Sequence, residues 1–588
     1  LPKAAVEFEA AITGFEAAQR RRGAAATVAD LARLRLEGGE YAAARKLADR
    51  AVREAERMRA DPLLASALAV KARTRVAAGD PDAAIEIAKS GAAVVDRLFT
   101  GLGAAQAGTA RETVAPVFEV GALAAVRIAD ATELSYFVES GRAGALMETL
   151  GVRERVARAA VPASLLAERE ALRATEKAAA TAYAATLAGD DLAATRRARS
   201  ELDAVRAKGL DLAARIERAT KREESWDHRG ATLEEIQGHL TPGEAFVAFV
   251  LPHPDAAALV VTSTTARVVR LGLTSDVVAA CEALHASDPD EDAAPALARL
   301  EEVVVKPLGL GAEITTLLLS PEGPLCYVPF SALLRGRDVV FVPSGTTLTY
   351  LLDSREAPGT QVLALGDPDY GASGSSAAGA VFGATRDGAP APAPKPEVRG
   401  GRLVPLPETR VEAKAVGDVL LLGQEATEAG LRHAIATRPR WKAVHVACHG
   451  LVDRDRPELS ALALTPSEAD DGFLTAMEVV ATSVPADIVV LSACETGTGK
   501  VRRGEGLSGL MRAFLAAGAP RVVCSLWKVD DEATRALMIR FYELWNPKDG
   551  SAPMSASLAL RAAQERVRAD PRWKHPYYWA AWVLWGLP

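Results

Sequence analysis

Two apolar runs, each stopping at a reactive side chain, constrain this chain more than any other feature. Val444-His445-Val446-Ala447 ends at Cys448-His449-Gly450, and Ile488-Val489-Val490-Leu491-Ser492-Ala493 ends at Cys494-Glu495-Thr496-Gly497. Short β-branched runs before a glycine-bearing turn read as buried strands of a parallel sheet. In open α/β sheets, chemistry gathers outside the carboxyl ends of such strands. The pattern therefore predicts His449 and Cys494 side by side on neighbouring strand ends. An imidazole beside a thiol yields a thiolate nucleophile near neutral pH, which points to a cysteine peptidase. The amides of Gly450 and Cys494 are the expected oxyanion donors, because glycine permits close backbone approach.

Each residue taken singly has a plainer reading. A lone cysteine at a strand end is more often a small buried hydrophobe, and a lone histidine a satisfied structural group. Two of them on consecutive strand ends, each flanked by glycine, are a rarer coincidence. Cys448 with His445 raises the question of a metal. Neither CxxC nor HxxxH spacing is present, and Cys448 should point away from His449, so no metal site is expected. Ser492 lies in Leu-Ser-Ala-Cys, not in a G-x-S-x-G elbow. Without a P-loop or a G-x-G-x-x-G before a helix, no nucleotide cofactor is expected. Cys281, Cys326 and Cys524 sit in apolar runs and read as packing residues.

The chain has 588 residues, a net charge of −7 and five scattered cysteines. That length exceeds one hydrophobic core and implies several domains. The acidic balance argues against nucleic acid as the main partner. The cysteine pattern suits free thiols in a reducing, cytoplasmic setting. No apolar stretch reaches the 18 or so residues that crossing a membrane requires. The chain opens on Leu1-Pro2-Lys3 with no signal-like segment and no Met, so a targeting segment could have been lost.

Residues 1–225 are rich in Ala, Leu, Arg and Glu, with helical periodicity. Within them Gly39-Glu40-Tyr41-Ala42-Ala43-Ala44 matches Gly79-Asp80-Pro81-Asp82-Ala83-Ala84, each between amphipathic helices. A small residue at the turn and alanine where helices touch are similar to tetratricopeptide repeats with lengthened loops. A third unit is expected over 117–150 and a long hairpin over 163–222. From Thr232 strands alternate with helices, giving a helical region followed by α/β architecture. The expected domains are repeats at 1–150, a helical hairpin linker at 151–230, a first α/β lobe at 231–355 and a second at 356–588. In the second lobe, parallel strands are expected at 362–365, 443–447, 462–464, 488–492 and 521–525, with a helix at 408–421. The Gly/Ala/Ser/Pro-rich segment 371–401 reads as a surface loop.

The ordered motifs in the last 360 or so residues resemble the CHAT domain. They are His449-Gly450, Leu491-Ser492-Ala493-Cys494-Glu495-Thr496-Gly497, Gly504-Glu505-Gly506-Leu507, Ser525-Leu526-Trp527-Lys528-Val529-Asp530-Asp531 and His575-Pro576-Tyr577-Tyr578-Trp579. That family is related to caspases, separases and gingipains and is often fused to tetratricopeptide repeats. The resemblance implies a His449–Cys494 dyad that cleaves a peptide bond, and an inactive first lobe supporting an active second one. It also implies a protein substrate and a role in bacterial defence or cell death. Because a free cytosolic peptidase would be hazardous, gating is expected, by a partner or ligand reaching the repeats or the 371–401 loop. By the same resemblance Ser525 and Trp527 line the primary specificity pocket, and Asp531 offers a carboxylate for Arg or Lys. Asp453 is a second such candidate. A helix-capping role for Asp530 or Asp531 fits equally well, and cleavage after a small or aliphatic residue stays open. The competing reading is a non-catalytic scaffold that assembles partner proteins.

Overall fold

The computed structural model describes residues 2–588 except 100–103, 143–162, 187–191, 221–229, 286–291, 371–397, 400–401, 454–456, 469, 494–499 and 503–505. Cys494, Gly504 and most of the expected 371–401 loop lie outside the described residues, as does the end of the expected third repeat.

The amino-terminal region is a run of antiparallel helices: α1 (Pro2–Ala17), α2 (Arg21–Glu37), α3 (Tyr41–Met58), α4 (Asp61–Ala77), α5 (Pro81–Phe99), α6 (Ala104–Ile128) and α7 (131–142). Gln19, Gly39, Arg59 and Gly79 all take positive φ at the turns, one every 20 residues. A two-helix unit thus repeats every 40 residues, longer than the roughly 34 of a standard tetratricopeptide repeat. The extra length lies in the helices and not in the lengthened loops expected, because the turns at 18–20, 38–40, 59–60 and 78–80 are short. Alanine explains how the helices close up. Ala44, Ala48, Ala51 and Ala55 are fully buried on one stripe of α3, and Ala84, Ala88 and Ala92 on α5. At Gly121 a Cβ would stand 2.3 Å from the Phe137 ring, so glycine is what lets α6 meet α7. A separate hairpin follows, α8 (Ala163–Thr186) against α9 (Leu192–Thr220).

The rest is α/β. Its first strands are β1 (Glu244–Val250), β2 (Asp255–Thr262), β3 (Ala266–Leu273), β4 (Thr316–Ser320) and β5 (Asp338–Phe341). Then come β6 (Val362–Pro368), the short pair β7 (Val398–Arg399) and β8 (Arg402–Leu403), β9 (Val419–Gly423) and β10 (Trp441–Ala447). A small antiparallel sheet holds β11 (His449–Leu451), β12 (Ala461–Ala463) and β13 (Phe473–Thr475). The last strands are β14 (Ala486–Ser492), the pair β15 (Lys500–Arg502) and β16 (Gly506–Ser508), β17 (Arg521–Ser525) and β18 (Trp582–Gly586).

Eleven of these strands form one continuous sheet in the order β3-β2-β1-β4-β5-β18-β17-β14-β10-β6-β9. The strands β1, β4, β5 and β18 run parallel to one another, as do β17, β14, β10, β6 and β9. Between the sets, β17 and β18 are antiparallel, so the two sets point in opposite directions. Alternate residues feed two cores: Val362 and Ala364 face one, Leu363 and Leu365 the other.

Two expectations are corrected. The run at 462–464 does not join the parallel sheet; as β12 it pairs antiparallel with β11 and β13. The helix expected over 408–421 spans only Pro407–Val416, and the apolar residues after it form β9 at the sheet edge. Gly417 makes that break possible, because a Cβ there would stand 2.6 Å from Ala364 Cβ.

Repeats and sheet share one core. Phe118, Phe137 and Val138 pack in the same apolar cluster as Ile236, Phe246 and Leu348. Two buried charges on α7 complete the joint. The Arg142 guanidinium donates to the Ser320 carbonyl (3.0 Å), to Ser320 Oγ (2.9 Å) and to the Phe249 carbonyl. The Glu139 carboxylate accepts from the amides of Gly345 (3.0 Å) and Thr346 (2.7 Å), at the start of helix Gly345–Asp353. Both side chains thus occupy the carboxyl ends of the β1/β4/β5 set.

Candidate active site

The second strand set supplies the candidate site. Strands β10 and β14 are adjacent and parallel, with Ala447 opposite Ser492. His449 follows two residues after Ala447, and in the sequence Cys494 follows two residues after Ser492. His449 is partly buried and opens β11, where it pairs with Ala463. Gly450, the expected oxyanion donor, lies opposite Leu462 in that ladder.

Two contacts orient the His449 ring. Its Nε2 lies 2.7 Å from the backbone carbonyl of Val404, just past β8. A carbonyl oxygen only accepts, so this contact places the proton on Nε2 and leaves Nδ1 as the basic nitrogen. The Tyr370 ring, just past β6, packs against the imidazole with centroids 5.5 Å apart. Burial pushes the Tyr370 phenol well above its usual range, so it stays neutral. Neither partner was foreseen. Val404 contributes only a carbonyl, which every residue carries, and Tyr370 stands 79 positions before His449 with no motif around it.

The specificity candidates separate. Ser525 ends β17 fully buried, and its hydroxyl donates to the Ala493 carbonyl (3.2 Å), next to the chain leading to position 494. Trp527 is partly buried, and its indole N–H donates to the Tyr577 carbonyl (3.0 Å) in the closing segment. Asp530 is the cap of the helix Asp531–Trp545, with Oδ1 accepting from the Ala533 amide (2.9 Å). Asp531 is exposed in the first turn of that helix. Asp453 follows β11, and its amide donates to Ser460 Oγ (3.1 Å).

The other titratable groups nearby have structural partners. His445 is fully buried, with Nε2 2.9 Å from Glu412 Oε1 and Nδ1 3.4 Å from the Tyr542 hydroxyl. Cys448 packs into the apolar cluster of the other sheet face. Among the described residues no group of three or more His, Cys, Asp or Glu side chains is placed to hold a metal ion. Burial pushes the Cys281 and Cys326 thiols up to about 12 and that of Cys524 upward as well, which makes them inert at neutral pH. No helix among the described residues is long and apolar enough to cross a membrane.

Several known proteins are similar to parts of the chain. The Homo sapiens tetratricopeptide repeat protein 28 is 29% identical over 316 residues, which are 46% of this chain but 12% of that protein. The chain therefore spans about an eighth of that relative's length. Among solved structures, the Saccharomyces cerevisiae separase–securin complex aligns with 96% of this chain and 54% of its own, at TM-score 0.40 and 10% identity. The Arg-specific cysteine proteinase gingipain R aligns with 52% of this chain and 69% of its own, at TM-score 0.31 and 12% identity. The CHAT domain family model matches residues 294–587, beginning after β3 rather than near residue 230. With half of its length matched in this way, the chain belongs to the CHAT-domain family, its domain preceded by tetratricopeptide-like helices.

Proposed function

We propose that the chain is a cysteine endopeptidase in which His449 and Cys494 form the catalytic dyad. The observation that supports it most is the β10–β14 register. Parallel neighbours with Ala447 opposite Ser492 are followed, at the same two-residue step, by an imidazole and a thiol. In this reading His449 Nδ1 takes the thiol proton, and the Cys494 sulfur attacks the scissile carbonyl carbon. The amides of Gly450 and Cys494 hold the resulting oxyanion. His449 then protonates the leaving amine and afterwards draws a proton from the water that cleaves the thioester. The Val404 carbonyl keeps Nε2–H in place throughout, doing what an orienting carboxylate or amide side chain does in other dyads. Tyr370 shields one side of the ring.

The primary pocket is proposed near Ser525 and Trp527. Asp453 and Asp531 are the carboxylates that would select a basic residue, while Asp530 is committed to its helix. The helical repeats offer docking surface for a protein partner, and we assign the gating signal to them, with defence or programmed cell death as the setting.

Fluorogenic Arg, Lys, Leu and Asp peptides, tested with Cys494→Ala as control, decide the matter. Cleavage by the wild-type chain that a thiol alkylator and the substitution both remove supports the dyad. Equal signal from both proteins on every peptide, in the presence of the repeat ligand or partner, favours a scaffold.

A further inference from the structure

The eleven-stranded sheet has one thin seam. Strand β5 meets β18 through a single registered pair, Phe341 opposite Trp585, whereas β5 pairs with β4 over four positions and β18 with β17 over five. Val339 and Val583, two residues back along each strand, line a cleft instead of pairing. The two strands therefore part toward their amino ends. Helix Ala556–Arg568 crosses this opening, and the turn at 335–337 forms its other wall.

The chemistry of the cleft is one-sided. Arg335 and Arg337 line it from the turn, and Arg561 and Arg568 from the helix, against the Glu565 carboxylate in the lining and Asp338 paired to Arg561. Positions 561, 564 and 568 are spaced to share one helix face, and the buried Gln564 amide donates to the carbonyls of Trp579 (3.1 Å) and Trp582 (2.9 Å). Arg561 is partly neutralised by Asp338 (2.7 Å) and Glu565 (3.5 Å). Arg337 spends Nη2 on the carbonyls of Leu310 (3.3 Å) and Gly311 (3.1 Å), while its Nη1 is buried with no partner among the described residues. Arg335 donates to the Ala332 carbonyl (3.3 Å), and Arg568 lies over the Trp579 ring at 5.8 Å. Four guanidinium groups gathered around one opening in a chain of net charge −7 are a local reversal of sign. The cleft volume of about 40 Å³ admits several waters or one small oxyanion.

We propose that this seam is an anion-binding site that takes the phosphate or carboxylate group of a small ligand. Guanidinium forks from the turn and the helix grip its oxygens. An anion there ties the 335–337 turn of the first lobe to the helix that precedes β18. It thereby stiffens the thin junction of β5 with β18, inside the first parallel set. The assignment stands apart from the peptidase reading.

Thermal unfolding of the full chain tests it at constant ionic strength, with inorganic phosphate, adenosine monophosphate and acetate each exchanged against chloride. A saturable rise in Tm is expected. In Arg335→Ala/Arg568→Ala, two exposed positions that tolerate truncation, the half-saturating concentration should increase roughly tenfold. Saturation by phosphate and the monophosphate assigns a phosphoryl ligand, and saturation by acetate alone a carboxylate. Lack of saturation by all three, or identical curves for the wild-type chain and the double variant, overturns the proposal. Cys494→Ala should titrate like wild type, so a silent dyad and an absent anion site give different results.

Discussion

The two strand sets of the sheet present their carboxyl ends to opposite rims, and the rims are treated differently. On the first, the carboxyl ends of β1, β4 and β5 are filled by α7: Arg142 takes the carbonyls of Phe249 and Ser320, and Glu139 caps the helix after β5. On the second, the ends of β10 and β14 lead to His449 and to position 494, and the helical hairpin grips only the periphery. There Lys177 of α8 donates to the Ser467 carbonyl (2.7 Å), and Gly209 of α9 lies near Met477. One architecture thus serves as a socket on one rim and as a candidate reaction site on the other. Buried polar side chains aimed at strand ends close a site, while a half-buried imidazole oriented by the Val404 carbonyl and the Tyr370 ring marks a candidate one.

The sharpest break of this comparison is at the second rim. Cys494→Ala and His449→Ala should each lower peptide cleavage by about 10³-fold or more with Tm nearly unchanged. Activity surviving either substitution would remove the functional contrast between the rims. Next in size is the socket. Arg142→Ala strands the Phe249 and Ser320 carbonyls in a buried joint and should cost about 2–4 kcal/mol in urea unfolding. A loss below about 0.5 kcal/mol would mean that α7 merely rests on the lobe.

A pH series sharpens the peripheral grip. Burial and the Glu478 and Glu176 carboxylates push the Asp471 carboxyl up to about 7, opposed by Arg206 and by the Phe473 amide. Glu428 and Asp470 stand in the same cluster around Arg432. An acid whose folded pKa lies above its unfolded value of about 3.8 binds more protons when folded. Its contribution to stability is therefore greatest below pH 4 and is lost as pH rises to 7. Asp471→Asn should flatten that part of the pH–stability profile, followed by hydrogen exchange in the 470–478 segment; an unchanged slope would assign the dependence to Glu428. The smallest effect belongs to Asp530→Ala, which should cost about 1 kcal/mol through the lost cap. Preference among Arg, Lys and Leu peptides should not change, and a changed preference would move Asp530 from the helix to the pocket.

Much of this was legible in residue pattern. The apolar runs at 245–250, 316–320, 443–447 and 488–492 became strands because they are short, rich in Val, Leu or Ile and closed by turn residues. The turns at Gly39 and Gly79 announced the repeat. Strand β9 was hidden because Val419-Leu420-Leu421-Leu422 continues the apolar content of the helix before it, and only the Gly417 contact with Ala364 ends that helix. A three-residue run such as Ala461–Ala463 carries no sign of whether its neighbours run with or against it. The joining of both lobes in one sheet and the grip of Val404 on His449 depend on backbone groups, which composition does not encode.

The head-to-tail arrangement of the two strand sets has a kinetic corollary. In the proposed peptidase, an effector bound through α7 would sit at the β1/β4/β5 rim, opposite the rim where β10 and β14 would hold a peptide. Such an effector would alter turnover while leaving the peptide's access untouched, and raising the peptide concentration would not displace it.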